Sequence, residues 1–132
     1  MTTVLTFGTF DIFHPGHEYY LREAKKHGDT LVTIIARDET VKNLKKYTPR
    51  NDEHSRKKTV EESGIPDKVL LGELENYYNC IIDQQADVIC LWYDQRHLAD
   101  WLQQFLQSHK LQVKIIRLDP FQEDIYKSSK LW

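Results

Sequence analysis

Cysteine is nearly absent from this chain, and that scarcity narrows its chemistry. Cys80 and Cys90 lie ten residues apart inside apolar runs. They match neither a zinc cluster nor a redox pair, so they read as small buried hydrophobes in a reducing compartment. Glycine (5) and proline (4) are also sparse among 132 residues, which leaves no linker rich in either and no low-complexity tract. No apolar run approaches the roughly 20 residues of a membrane span. The first apolar segment is short and runs straight into Gly8, unlike a signal peptide. One-sided charge is missing as well. The formal net charge is −2, and no block of like charge suggests a tail or a nucleic-acid arm. The clusters Lys42/Lys45/Lys46 and Arg56/Lys57/Lys58 read, on charge alone, as solvated faces. These exclusions predict a cytoplasmic protein of one domain, residues 1–132, with neither membrane nor nucleic acid as partner. Such a length buries about two-thirds of the unfolded surface.

Short apolar runs alternate with helical patterns along the whole chain. Val4–Phe7, Thr30–Ala36, Val69–Leu71, Asp87–Trp92 and Gln112–Leu118 are rich in Val, Ile and Leu and bounded by turn residues, which predicts strands. The near-continuous run Leu31–Ala36 suits a parallel strand covered on both faces. Glu18–His27 keeps Tyr20, Leu21 and Ala24 on one face and reads as a helix capped at Gly28. Over Gln95–His109, the residues Leu98, Trp101, Leu102, Phe105 and Leu106 form a core-facing stripe. Tyr77, Tyr78, Ile81 and Ile82 mark a shorter helix. The aromatics of both helices are expected in the core. Regular β-α alternation predicts an α/β fold, a single-domain, doubly wound, five-stranded parallel sheet of Rossmann-like layout. In such sheets ligands bind beyond the strand C-termini, where the strand order reverses.

The loop after the first strand, Gly8-Thr9-Phe10-Asp11-Ile12-Phe13-His14-Pro15-Gly16-His17, carries the unusual residues. Gly8 and Gly16 would let backbone approach a ligand closely. The following helix N-terminus would offer N–H groups and a positive dipole end to phosphate. Pro15 suits the first turn, where its missing N–H is harmless. His14 and His17, three apart, can face one side of that start and donate to phosphate oxygens. A structural role, or a zinc site, is open to the same pair, although no Cys/His partner set accompanies it. No Gly-Lys-Ser/Thr is present, so the loop is not a P-loop.

Gly8-Thr9-Phe10-Asp11 with His14-Pro15-Gly16-His17 resembles the signature of the cytidylyltransferase-like nucleotidyltransferases. Further likeness runs along the chain. Ala36–Lys45 resembles the segment after the second strand, whose lysines bind phosphate. Glu53-His54-Ser55-Arg56 resembles a helix start where an arginine approaches substrates. Trp92-Tyr93-Asp94-Gln95 resembles the Gly-(Tyr/Asp)-Asp element lining the nucleotide pocket. Ile125–Leu131 resembles the terminal Ile-Ser-Thr element, whose hydroxyls touch the triphosphate. Two departures stand out. No arginine opens that last element, where the chain has Asp119–Asp124 with Lys127 as the nearest substitute charge, and Trp92 replaces a glycine.

The resemblance implies attack by an acceptor phosphate oxygen on the α-phosphorus of a nucleoside triphosphate, with release of pyrophosphate. His14, His17, Lys42 and Lys45 are then the catalytic candidates. Gly8, Thr9, Phe10, Asp11, Gly16, Asp94, Lys127, Ser128 and Ser129 would bind the nucleotide. Arg56 would bind the small phosphomonoester acceptor, with a surface ion pair to Glu53 as the plainer role. Asp11 could orient a metal or brace its loop, and bracing is preferred. Mg²⁺ is expected on the triphosphate oxygens and water, with no protein metal ligand assigned. The family resemblance also implies a homodimer. Loops Ala36–Lys42 and Tyr93–Gln95 look closest to archaeal-type FAD synthase, an FMN adenylyltransferase. Glycerol-3-phosphate cytidylyltransferase is the alternative, and a silent nucleotide-binding module is the alternative from another class.

Overall fold

The computed structural model describes residues 2–45, 48–72, 79–92 and 96–118, with side chains outside 43–45 and 96–98. Strand β1 (Thr3–Gly8) leads to helix α1 (Pro15–Lys25), strand β2 (Thr30–Ile35), and helices α2 (Asp38–Lys45) and α3 (Glu53–Glu62). Strand β3 (Lys68–Leu71), helix α4 (Asn79–Asp83), strand β4 (Val88–Leu91), helix α5 (Arg96–Ser108) and strand β5 (Lys114–Arg117) follow. All strand pairs are parallel, in the order β3-β2-β1-β4-β5. The chain winds outward from β1 in one direction and then from β4 in the other, so the order reverses between β1 and β4. All five expected strands are present, their ends shifted by a residue or two.

The apolar residues of β1 and β2 fall on both sheet faces because both faces are covered. Val4, Leu31, Ile35 and Val69 pack on one side with Tyr20, Leu21 and Ala24 of α1 and Val60 of α3. Leu5, Phe7, Val32, Ile34 and Ile89 pack on the other with Ile81 of α4 and Leu102 and Leu106 of α5. Thr6 and Thr33, fully buried neighbours across β1 and β2, join hydroxyl to hydroxyl at 2.9 Å. A polar pair in the sheet is thereby satisfied.

Two helix expectations need correction. Trp101 is 61% exposed, against a place in the core. On a helix of 3.6 residues per turn, Trp101 sits ~100° away from Leu102, and the buried stripe is centred on Leu102 and Leu106. The second correction concerns Gly28. Helix α1 stops at Lys25 with Lys26 as its C-cap, so Gly28 does not cap it. A Cβ at Gly28 would lie 2.6 Å from Val4 Cγ2 and 2.8 Å from the Thr2 carbonyl oxygen. Its glycine permits the chain to pass the start of β1 closely. Tyr77, Tyr78, Leu98 and the expected Ile125–Leu131 element lie outside the described residues or side chains.

Candidate active site

The candidate site at the strand reversal is built around α1. Pro15 occupies its first turn and His14 is its N-cap, with φ −141° and ψ 173°. The cap is made by the imidazole: His14 Nδ1 accepts the Gly16 N–H at 3.0 Å. The His14 carbonyl accepts the N–H groups of His17 at 2.9 Å and Glu18 at 3.2 Å. The first backbone donors of α1 are therefore engaged within the helix start, and this revises the expectation of free amides for phosphate. What remains at this helix start is its dipole and the two imidazoles of His14 and His17. Because Nδ1 is an acceptor, the neutral His14 ring carries its proton on Nε2. Burial holds the His14 pKa below its ordinary 6.5, so the ring is a neutral donor at pH 7.

Both glycines of the loop have a different use from the one their residue type suggests. A Cβ at Gly16 would stand 2.7 Å from His14 Cε1; glycine is what lets the capping ring fold back. A Cβ at Gly8 would stand 2.5 Å from Phe10 Cε2. Phe10 itself adopts φ +53°, the left-handed region, which is strained for a bulky residue. This turn brings its ring over Gly8 and against His17, at 5.1 Å in an edge-on contact. Thr9 and Phe10 are each 2% exposed.

His17 belongs to the inward stripe of α1 with Tyr20, Leu21 and Ala24, and it is 1% exposed. Its ring centroid lies 3.9 Å from that of His14, 5.7 Å from Phe13 and 5.2 Å from Trp92. The structure thus brings the two histidines together. Trp92, 3% exposed, packs in the core beside them.

Asp11 braces. Its Oδ2 accepts the Arg50 N–H and its Oδ1 the Asn51 N–H, both at 2.9 Å. Asn51 Nδ2 donates back to the Asp11 carbonyl at 2.6 Å. Both carboxylate oxygens are thus committed to backbone. Among the described residues no three His, Cys, Asp or Glu side chains converge as a metal cage.

Arg56 is a buried strut. It lies on the inward face of α3 with Val60, and its side chain is 0% exposed. Nε donates to Asn51 O at 3.0 Å, and Nη1 to Thr9 O at 2.8 Å and Ala36 O at 2.7 Å. Nη2 reaches Asp38 Oδ1 at 2.6 Å. The guanidinium joins the loops after β1 and β2 to the entry of α3. Glu53 pairs with Arg37 at 3.0 Å instead, so the expected Arg56–Glu53 pair does not form. Reciprocal bonds between Asp38 and Glu53 close the network. Neither Asn51 nor Asp38 was marked by the sequence reading. The available signal was the i, i+4 relation of Arg56 to Val60, which turns the arginine inward.

Lys42 is exposed on α2. The side chain of Lys45, and Asp94, Lys127, Ser128 and Ser129 entirely, lie outside the described residues. A separate open groove of about 580 Å³ lies between the end of α5 and the start of β5, walled by Leu106, Leu111 and Val113. It opens at the N-terminal end of β5, the far end of the sheet from the histidines.

Comparison with known proteins agrees with this geometry. The cytidylyltransferase-like family matches residues 5–131. FAD synthase of Archaeoglobus fulgidus is 40% identical over 111 residues, covering 84% of this chain and 80% of that protein. FAD synthase of Thermoplasma volcanium is 37% identical over 131 residues, covering 99% and 92%. A crystal structure from the same organism, described as a lipopolysaccharide core biosynthesis protein, superposes with a TM-score of 0.85 at 37% identity. It covers 92% of this chain and 98% of that one. Pantoate-beta-alanine ligase of Francisella tularensis shares the fold at 11% identity and a TM-score of 0.67, covering 98% of this chain and 67% of that one. With its histidine-capped helix set at the β1–β4 reversal, the chain belongs to the cytidylyltransferase-like family of nucleotidyltransferases.

Proposed function

We propose that this enzyme transfers AMP from ATP to the phosphate of FMN, forming FAD and pyrophosphate. The observation that carries the reading is the 37% identity to an FAD synthase along 99% of the chain. The placement of Trp92 agrees with it. An indole pointing into the base pocket would have favoured the smaller pyrimidine of CTP, but Trp92 is buried against the histidines.

An FMN phosphate oxygen attacks the α-phosphorus, and the bond from that phosphorus to the β-phosphate bridging oxygen breaks. A phosphate monoester has its second pKa near ~6 and is largely dianionic at neutral pH, so no strong base is required. Catalysis then rests on positioning and on stabilising charge as it develops. His14 donates through Nε2–H, and His17 beside it supplies the second imidazole. Lys42, Lys45 and Lys127, with Ser128 and Ser129, neutralise the far phosphates in this reading, and Asp94 meets base or ribose. Arg56 and Asp11 act by holding loops rather than by touching the acceptor. With the Asp11 oxygens committed to backbone, Mg²⁺ belongs on triphosphate oxygens and water, where it offsets phosphate charge. A cytoplasmic homodimer completes the proposal, and light scattering of the purified protein tests the dimer.

The direct test uses ATP labelled at the α-phosphate, and separately at the γ-phosphate, with FMN. Label from the α position should appear in the flavin product and label from the γ position in pyrophosphate. Transfer of γ label to flavin, or none from the α position, contradicts adenylyl transfer.

A further inference from the structure

We infer that Trp92 is a positioning residue: its indole, at the end of β4, fixes the orientation of the two imidazoles of α1. This rests on the reading of His14 and His17 as phosphate donors. The Trp92 ring lies 5.2 Å from His17 at 57° and 6.1 Å from His14 at 38° between planes. Its Cζ2 comes within 3.4 Å of the position a Cβ would take on Gly16, so it also abuts the turn that carries the His14 cap.

The indole is itself held. Its other neighbour is Tyr20, stacked at 5.7 Å and only 7° from parallel. The Tyr20 hydroxyl donates to the Cys90 carbonyl at 2.6 Å, on β4 two residues before Trp92. The phenol thereby ties α1 to the strand from which the indole springs, just past the last β1–β4 pair, Thr6 with Cys90. Phe10 and Phe13 also flank the His17 ring, at 5.1 and 5.7 Å between centroids. An imidazole is an effective donor only when its N–H is aimed beforehand at the oxygen where charge develops. Flat rings on several sides remove the freedom that a lone histidine would have. A residue that merely filled the core could be exchanged for any apolar side chain of similar volume without touching turnover.

The test uses the protein carrying Trp101→Phe and Trp132→Phe, so that Trp92 is the only indole. The titratable groups around Trp92 are His14, His17, the Tyr20 phenol and, on the same sheet face, the Cys90 thiol. Burial pushes that thiol up to about 12, and a phenol ordinarily titrates near ~10. Trp92 fluorescence should therefore fall as acidification below the ordinary imidazole value forms the His14 imidazolium beside it, burial holding that pKa down, and His14→Gln should abolish the change. In kinetics, Trp92→Leu should lower kcat roughly 10-fold or more, with the nucleotide KM within about 3-fold. Trp92→Phe should restore most of kcat because a flat ring returns. A folded Leu variant with kcat within 2-fold of the reference overturns the proposal, as does a Phe variant no better than Leu. Fluorescence indifferent to pH overturns it even where the Leu variant does not fold. His17→Ala is run alongside. Undiminished turnover there would sink the donor reading itself, whatever Trp92 does.

Discussion

His14 Nδ1 accepts the backbone N–H of Gly16 at 3.0 Å, so one imidazole caps α1 and, when neutral, carries its proton on Nε2, the donor of the proposed function. Two roles in one ring can be separated by substitution. His14→Ala removes cap and donor together and should lose about 0.5–2 kcal/mol of stability. His14→Asn can cap through its side-chain oxygen and should recover most of that loss. Both should lower kcat by about 10²-fold or more. An Asn variant restored in stability and in turnover alike would show that only the cap matters.

The same ring predicts how stability depends on pH. Its folded pKa lies below the ordinary 6.5 because burial disfavours the imidazolium. Above 6.5 both states are neutral there and the group contributes nothing. As pH falls below 6.5 the unfolded chain takes up the proton first, so the destabilisation grows until pH passes the folded value and stays constant below it. Denaturant midpoints measured from pH 8 to 5 should fall below 6.5 in wild type. They should fall less in His14→Asn, and equal slopes would contradict the assignment.

Arg56→Ala strands three backbone carbonyls and one oxygen of Asp38. A loss on the order of 3 kcal/mol is expected. Asp38→Asn should lose less, because the Asp38 side chain is 35% exposed. Arg56→Lys, which cannot bridge all four acceptors, should fall between. If Arg56→Lys instead keeps full stability and raises only the KM for FMN, the arginine touches the acceptor after all.

Gly8→Ala forces a Cβ to 2.5 Å from the Phe10 ring. Displacing that ring should cost about 1–3 kcal/mol and loosen its contact with His17. The Gly8→Ala, Phe10→Leu double variant, which makes room, should recover part of the loss. A double variant no more stable than Gly8→Ala alone would show that the ring is not the obstacle.

Much of this was legible in the sequence, for identifiable reasons. Strands such as Leu31–Ile35 are buried on both faces, so their apolar runs are continuous and readable. Pro15, suited to a first turn, marked the start of α1, although the apolar spacing was readable only from Glu18 onward. Trp101 was misread because the apolar spacing marks a face without giving its width, and the indole sits at its edge. Gly28 followed a capping rule that local sequence cannot distinguish from close packing against Val4. The Arg56 network was hidden because three of its four acceptors are backbone carbonyls, which no residue letter announces. Gly16 was read for its reach toward phosphate, whereas its empty space is taken by the His14 ring two residues before it.

In the proposed function Lys42, Lys45 and Lys127 bear on phosphate through charge. Alanine at each should weaken ATP binding more than AMP binding, since charge-assisted contacts to the outer phosphates are lost, and high salt should narrow the difference. Isothermal titration with both nucleotides gives the comparison. Equal losses for ATP and AMP would return these lysines to solvent-facing roles.

The central claim is adenylyl transfer to FMN. It is tested most directly by pyrophosphate release from ATP or CTP, each offered with FMN, glycerol 3-phosphate or a sugar phosphate, in the presence of Mg²⁺. The account predicts release with ATP and FMN, matched by an equal amount of FAD and reduced about 10²-fold or more by His17→Ala. Release confined to CTP with glycerol 3-phosphate, or nucleotide binding without release from any pair, would contradict it.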